Sequence, residues 1–216
     1  MTPLEIAQRD AAVAAVRRLD ALGLNRGSTG NLSLRHGDGM LITPTGMGAA
    51  DLRPQDLVWL GWDGRARGAW QPSSEWHFHQ AIYLARPDLG AVLHTHSTHA
   101  AALACLRREL PAFHYMVSVA GGDNVPCVPY HLFGTQALSD AVAAAMQQRD
   151  ACLLANHGLV AAGATLVEAM KVVQEIEALC EAYLKALAAG EPVLLGRPEM
   201  AAVIERFKAY GRARRG

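Results

Sequence analysis

The chain has 216 residues, 51% of them hydrophobic and 19% charged, which is enough to bury a sizeable core and is ordinary for a soluble globular protein. Its 20 Lys and Arg balance its 20 Asp and Glu, which removes any electrostatic reason to expect a nucleic-acid or membrane partner. The four cysteines, Cys105, Cys127, Cys152 and Cys180, form no Cys-x-x-Cys pair, so a cysteine zinc site or redox motif is unsupported and buried free thiols in a reducing compartment are expected.

No basic stretch followed by an apolar run opens the chain, so no signal peptide is expected. The apolar stretch Ala151 to Val167 is interrupted by Asn156, His157 and Gly158, and is short for a spanning helix. The expected location is cytoplasmic.

In chain order, Thr2-Pro3-x-Glu5 opens a first helix: Thr2 can cap it, Pro3 suits its first position and Glu5 completes a capping box. Ile6, Val13, Val16, Leu19 and Leu22 follow at roughly helical spacing, and Gly23 is a natural stop. A polar Gly-rich loop, Asn25 to Asn31, comes next. Leu32 to Arg35 and Met40 to Thr43 read as two short strands joined by the hairpin turn Gly37-Asp38-Gly39, and Thr43-Pro44-Thr45-Gly46 is a further turn. Leu57 to Leu60 reads as a strand, Pro72 to Glu75 opens a helix to about Arg86, and Leu89 to His96 reads as a buried strand.

His99 to Arg108 is expected as a helix, followed by a turn-rich stretch and a short strand near Val125 to Val128. Gly134-Thr135 opens another helix, to about Gln148. Ala151 to Leu154 and Leu159 to Ala162 read as strands flanking Asn156-His157-Gly158. A second capping box, Thr165-x-x-Glu168, starts the longest helix, with Leu166, Met170, Val173, Ile176, Cys180, Tyr183 and Leu187 along one face. A last helix covers about Pro198 to Tyr210. Strands and helices interspersed in this way predict one α/β domain over residues 1–216, with a mixed sheet between helical layers.

Nine histidines are present, and three have a placement that suggests chemistry. His94 and His96 lie two apart at the end of a predicted strand, so their side chains share a face and can converge on one ion. Imidazole suits Zn²⁺, although the pair alone is equally consistent with a strand end in water. His157 ends a second buried run, and Gly158 lets the backbone turn sharply there. Glu75 stands at a helix start, where an acid complements the helix dipole, but a carboxylate is also the usual companion of three histidines. His77, His79, His36, His99, His114 and His131 are expected to be surface or packing residues.

Gly30-Asn31-x-Ser33, Leu41-Ile42-Thr43-Pro44-Thr45-Gly46, Pro72-Ser73-Ser74-Glu75, His94-Thr95-His96, His114-Tyr115-Met116 and His157-Gly158 follow one another as in the class II aldolase/adducin family, which the chain resembles from about Gly23 to Gly211. The resemblance is strongest to members that act on L-fuculose 1-phosphate. It implies an α/β/α sandwich around a mixed, largely antiparallel sheet, and a homotetramer with interfacial active sites. It implies Zn²⁺, one per subunit, on Glu75, His94, His96 and His157. It also implies a substrate phosphate held by Ser28, Asn31, Thr45, Gly46, Ser73 and Ser74, catalytic tyrosines Tyr115 and Tyr210, and Phe133 in the substrate pocket. Ser28 stands where the family usually has threonine, Thr95 where it has asparagine, and Asn156 where it has histidine or glutamine. These departures leave the ligand set intact and put the sugar preference in question.

The implied reaction is retro-aldol cleavage of a ketose 1-phosphate to dihydroxyacetone phosphate and a small aldehyde. It needs a cation beside the ketone to stabilise the carbanion, and four protein ligands would close that site. Glu75 resolves the conflict if substrate displaces it and it then serves as general acid or base at C3. Five alternatives stay open: aldolases for 5-deoxyribulose 1-phosphate or 5-methylthioribulose 1-phosphate, an L-ribulose-5-phosphate 4-epimerase, a methylthioribulose-1-phosphate dehydratase, and a non-enzymatic adducin-like scaffold.

Overall fold

The computed structural model describes residues 2–209. The elements run α1 (Pro3–Ala21), β1 (Asn31–His36), β2 (Gly39–Ile42), β3 (Val58–Gly61), β4 (Ala66–Arg67), α2 (Trp76–Ala85), β5 (Ala91–Thr95), α3 (Thr98–Cys105), β6 (Cys127–Val128), α4 (Gln136–Ala145), β7 (Ala151–Leu154), β8 (Gly158–Gly163), α5 (Leu166–Ala189) and α6 (Arg197–Ala209). The sheet order is β4-β3-β2-β1-β5-β8-β7-β6. Only the β6–β7 pair is parallel, so the sheet is mixed and largely antiparallel.

Strand alternation divides the core into two layers. Leu32, Leu34, Leu41, Leu93, Leu159 and Ala161 pack with α1, α3 and α5. Met40, Ile42, Val92, Val160 and Ala162 pack with α2 and α4 on the opposite face. Neighbouring residues point to opposite sides of a pleated strand, which produces the α/β/α arrangement. The α2 face carries His94, because it lies two residues beyond Val92.

The capping box is complete at α5 but only half formed at α1, where the Glu5 carboxylate turns to Arg9. The Thr2 hydroxyl accepts from the Glu5 N–H, while Thr165 and Glu168 cap each other reciprocally at the start of α5. Buried Val173, Ile176, Cys180 and Tyr183 lie on the core side of α5, with Leu166, Met170 and Leu187 partly buried against it. β4, a two-residue edge pair beyond the Asp63-Gly64 turn, and the 3₁₀ segments Pro54–Asp56 and Tyr115–Ala120 have no counterpart among the expected elements. Cys105 is exposed and Cys127 half-buried, whereas Cys152 and Cys180 are buried free thiols. Among the described residues no helix is long and apolar enough to cross a membrane.

Candidate metal centre and anion cradle

His94 sits in the middle of the sheet, where β5 is paired to β1 on one side and β8 on the other. It is wholly buried, and its Nδ1 lies 3.0 Å from the Leu159 carbonyl oxygen. A carbonyl only accepts, so Nδ1 carries the proton and Nε2 presents a lone pair. That lone pair faces the Nε2 atoms of His96 at 2.9 Å and His157 at 3.2 Å. His157 belongs to the loop 155–157 that joins β7 to β8. Asn156 adopts left-handed backbone there (φ 55°), a conformation asparagine tolerates better than most residues. Gly158 lets β8 come close: a Cβ at this position would lie 2.3 Å from the Thr95 carbonyl oxygen and 3.3 Å from the His94 ring.

Glu75 is the N-cap of α2, yet its side chain makes no capping hydrogen bond. The carboxylate turns instead to the histidines, with Oε2 3.4 Å from His94 Nε2 and Oε1 3.3 Å from His157 Nε2. Oε1 is buried without a hydrogen-bond partner. Four donors on a tetrahedral ion with Zn–N of about 2.0–2.1 Å lie roughly 3.3 Å apart, and the observed separations of 2.9 to 3.4 Å match that edge. Lone pairs crowded at these distances repel one another unless a cation lies among them. The residues therefore fit a divalent metal, and His94, His96 and His157 could hold one.

Electrostatics agree with the geometry. Burial pushes the His94, His96 and His157 pKa values down, with mutual repulsion adding to the shift at His94 and the Glu75 charge opposing it at His157. Neutral imidazole is the ligand form. Burial raises the Glu75 pKa, against the opposing pull of His157 and the Asn31 hydrogen bond.

Ser28, Asn31, Thr45, Gly46, Ser73, Ser74 and Phe133 line one cavity of about 220 Å³, together with Glu75, His96 and His157. Backbone pairing sets its walls: Ser73 N–H donates to Thr43 O and Thr45 N–H to Gln71 O, and Pro44 bridges Pro72. The Asn25 side chain accepts from His96 N–H and ties the Gly-rich loop to the end of β5. Gly30 (φ +73°) permits that contact, since a Cβ there would lie 2.5 Å from the His94 carbonyl oxygen. No Lys or Arg is among the described residues lining the cavity. Hydroxyl, amide and backbone N–H donors of this kind can cradle an anion without a fixed countercharge.

One sequence-predicted residue lies elsewhere. Tyr115 is 48% exposed, with its ring stacked on Phe207 at 6.4 Å. It lines a separate cavity of about 430 Å³ with Met116, Lys171, Val203, Arg206 and Phe207. Tyr210 lies outside the described residues. His79 takes the packing role of the two expected for it. It is fully buried, not a surface residue, and its nitrogens contact Ser33 Oγ and Asn31 Oδ1, while Asn31 Nδ2 donates to Glu75 Oε2 at 2.9 Å. Burial lowers the His79 pKa to about 3. The signal available in the sequence was the spacing Glu75, His79, Tyr83, which puts all three on one helical stripe. His77 is half-buried and stacked on Trp76, and His36 and His99 make local bonds to Gln8 and Glu177.

An α/β sandwich whose three-histidine, one-carboxylate cluster opens onto a cavity rich in neutral hydrogen-bond donors has the arrangement of a metal-dependent enzyme for an anionic substrate. The chain belongs to the family described as Class II Aldolase and Adducin N-terminal domain, which matches residues 10–184. It is 52% identical over 206 residues to a 5-methylthioribulose-1-phosphate/5-deoxyribulose-1-phosphate aldolase of Rhodospirillum rubrum, covering 95% of this chain and 93% of that one. It is 47% identical over 191 residues to the L-fuculose phosphate aldolase of Escherichia coli K12, covering 88% and 89%. A solved L-fuculose 1-phosphate aldolase superposes with a TM-score of 0.90 at 38% identity, covering 93% of this chain and 95% of that one. The chain is a class II aldolase, a carbon–carbon lyase.

Proposed function

We propose that the whole chain, residues 1–216, acts as one unit that cleaves a ketose 1-phosphate of the L-fuculose 1-phosphate type between C3 and C4. The products are dihydroxyacetone phosphate and a small aldehyde. The observation that carries this reading is a single cavity running from the Glu75/His96/His157 cluster to the cradle of neutral donors. In this reading Glu75, His94, His96 and His157 hold one Zn²⁺ per subunit. When bound, the ion supplies positive charge beside the ketone, which stabilises the electron pair left at C3.

The residues of the chain do the remaining work. Ser28, Asn31, Thr45, Gly46, Ser73 and Ser74 fix the phosphate and so orient the C3–C4 bond. Tyr115 exchanges a proton with the C4 oxygen as that bond breaks, Glu75 exchanges one with C3, and the proton released at C4 replaces, through solvent, the one delivered to C3, so that cleavage is proton-neutral. Phe133 packs against the aldehyde end. Tyr115 and Tyr210 act across a subunit boundary in a cytoplasmic homotetramer, a role supported by the separation of the Tyr115 cavity from the histidines of its own chain.

A second reading, cleavage of 5-deoxyribulose or 5-methylthioribulose 1-phosphate, is favoured by the 52% identity to a relative of that name and by the apolar Phe133, 59% exposed on the cavity wall. Comparative turnover of the three sugar phosphates, followed by dihydroxyacetone phosphate release, decides between them. Release from none of the three, by zinc-loaded protein, would refute both.

A further inference from the structure

Asn31 and Ser33 lie two apart on β1 and face α2. Glu75, His79 and Tyr83 lie four apart along α2 and face β1. The two sets close into one buried polar chain. Tyr83 Oη donates to the Ser33 carbonyl at 2.9 Å, Ser33 Oγ lies 2.7 Å from His79 Nδ1, His79 Nε2 meets Asn31 Oδ1, and Asn31 Nδ2 donates to Glu75 Oε2 at 2.9 Å. Every member is less than one-tenth exposed, so water cannot substitute for a missing bond.

We propose that His79 is a positioning residue, whose ring fixes which way the Asn31 amide faces and thereby keeps an N–H donor on the Glu75 carboxylate. The proton pattern has one consistent solution. The carboxylate accepts, so Asn31 must present Nδ2 to Glu75 and Oδ1 to the ring. Oδ1 accepts, so His79 carries its proton on Nε2. Nδ1 is then an acceptor, and the Ser33 hydroxyl donates to it, its own oxygen lying beside the Tyr83 hydroxyl. The other tautomer would set a ring lone pair against Oδ1. Relieving that clash by turning the amide would set Oδ1 against the carboxylate. Each end of the chain therefore selects the same polarity, and β1 and α2 hold it between them.

The inference rests on the proposed role of Glu75, which Glu75→Gln tests separately. If Glu75→Gln keeps full activity, the functional reading fails. The tests below, run on an enzyme whose activity does depend on Glu75, bear on His79 alone. In His79→Phe the volume is kept and the donor lost. On the substrate turned over best, L-fuculose 1-phosphate or 5-deoxyribulose 1-phosphate, kcat should fall about 10- to 100-fold, the usual range for groups that orient a metal site's own ligands, with KM nearly unchanged. His79→Gln, which offers both a donor and an acceptor, should recover part of the loss. In an Asn31→Ala background, either His79 substitution should cost nothing further, because the residue through which His79 acts is gone. If His79→Phe fails to fold, the His79→Gln pair of measurements, with and without Asn31, decides alone.

Multiplicative losses in the double variants, or wild-type kcat in both single His79 variants, would overturn the proposal. Long-range proton–nitrogen NMR of the His79 ring supplies a readout independent of turnover. The Nε2–H tautomer is expected, and the Nδ1–H tautomer would refute the positioning role.

Discussion

The histidine cluster and the Tyr115 cavity belong to the same chain but are built in different ways. The cluster hangs from the end of β5, the tight loop between β7 and β8 and the start of α2, and is pinned by the Leu159 carbonyl, by Gly158 and by the chain of bonds from Tyr83 to Glu75. The Tyr115 ring lies on a 3₁₀ segment against α6, half exposed and outside the cavity that contains His96 and His157. Groups that must meet within about 0.5 Å of a working geometry are best held by regular elements, and here those groups come from one chain. Tyr115, outside that cavity, reaches the chemistry proposed above only through assembly.

The largest effect that would sharpen this contrast is expected in the cluster. His94→Ala should bind almost no zinc and lose roughly 10³-fold or more in turnover, since several kcal/mol of charge stabilisation go with the ion at about 1.4 kcal/mol per tenfold. Zinc retained at one per subunit in the variant would break the assignment. Next comes Glu75→Gln, with kcat down about 10²- to 10⁴-fold, the range for removing a general acid or base, while metal analysis still finds part of the zinc. Tyr115→Phe should cost about 10²-fold in kcat with full zinc content. Mixing it with His94→Ala chains should restore activity in hybrid assemblies, because each supplies what the other lacks. Hybrids as inactive as their parents would place Tyr115 in its own chain's site.

A smaller effect concerns pH and stability. The His79 pKa is about 3 in the fold against about 6.5 in an unfolded chain, so the unfolded state binds the extra proton between those values. The neutral ring's contribution is fully present above about pH 6.5 and drains away as pH falls, at up to about 1.4 kcal/mol per unit. Denaturation midpoints of wild type and His79→Gln at equal zinc load should diverge in that window, and parallel curves would contradict the buried neutral ring. Smallest is Thr165→Ala, far from both regions, which should cost about 1 kcal/mol of stability through the lost cap and leave turnover unchanged.

Legibility in the sequence followed the strength of the local signal. The hairpin at Gly37-Asp38-Gly39, the Thr2 cap, the Thr165/Glu168 capping box and the amphipathic α5 combine turn or cap chemistry with a hydrophobic period, and each stands where expected. β4 has two exposed residues and no period to detect. The 3₁₀ segment at Tyr115 is too short to show one. The proximity of Glu75, His94, His96 and His157 was suggested by strand ends and by family resemblance, whereas spacing alone could not bring residues from α2, β5 and the loop before β8 to within 3.4 Å of one another. His79 was expected only as a surface or packing residue: the helical spacing puts it on one stripe with Glu75 and Tyr83, but its polar partners come from β1, whose register sets Asn31 opposite His94 and Ser33 opposite Val92.

The placement of His94 inside an eight-stranded ladder has a consequence for how the protein breathes. A ligand on a loop can let go of its ion while the rest of the molecule stays folded. His94 is instead fixed by the backbone bonds that β5 makes to both neighbours, so that an ion held there would tie down the central strands. Chelation should therefore speed deuterium uptake at the amides of β5 and β8 while the edge pair β3–β4 keeps its own pace.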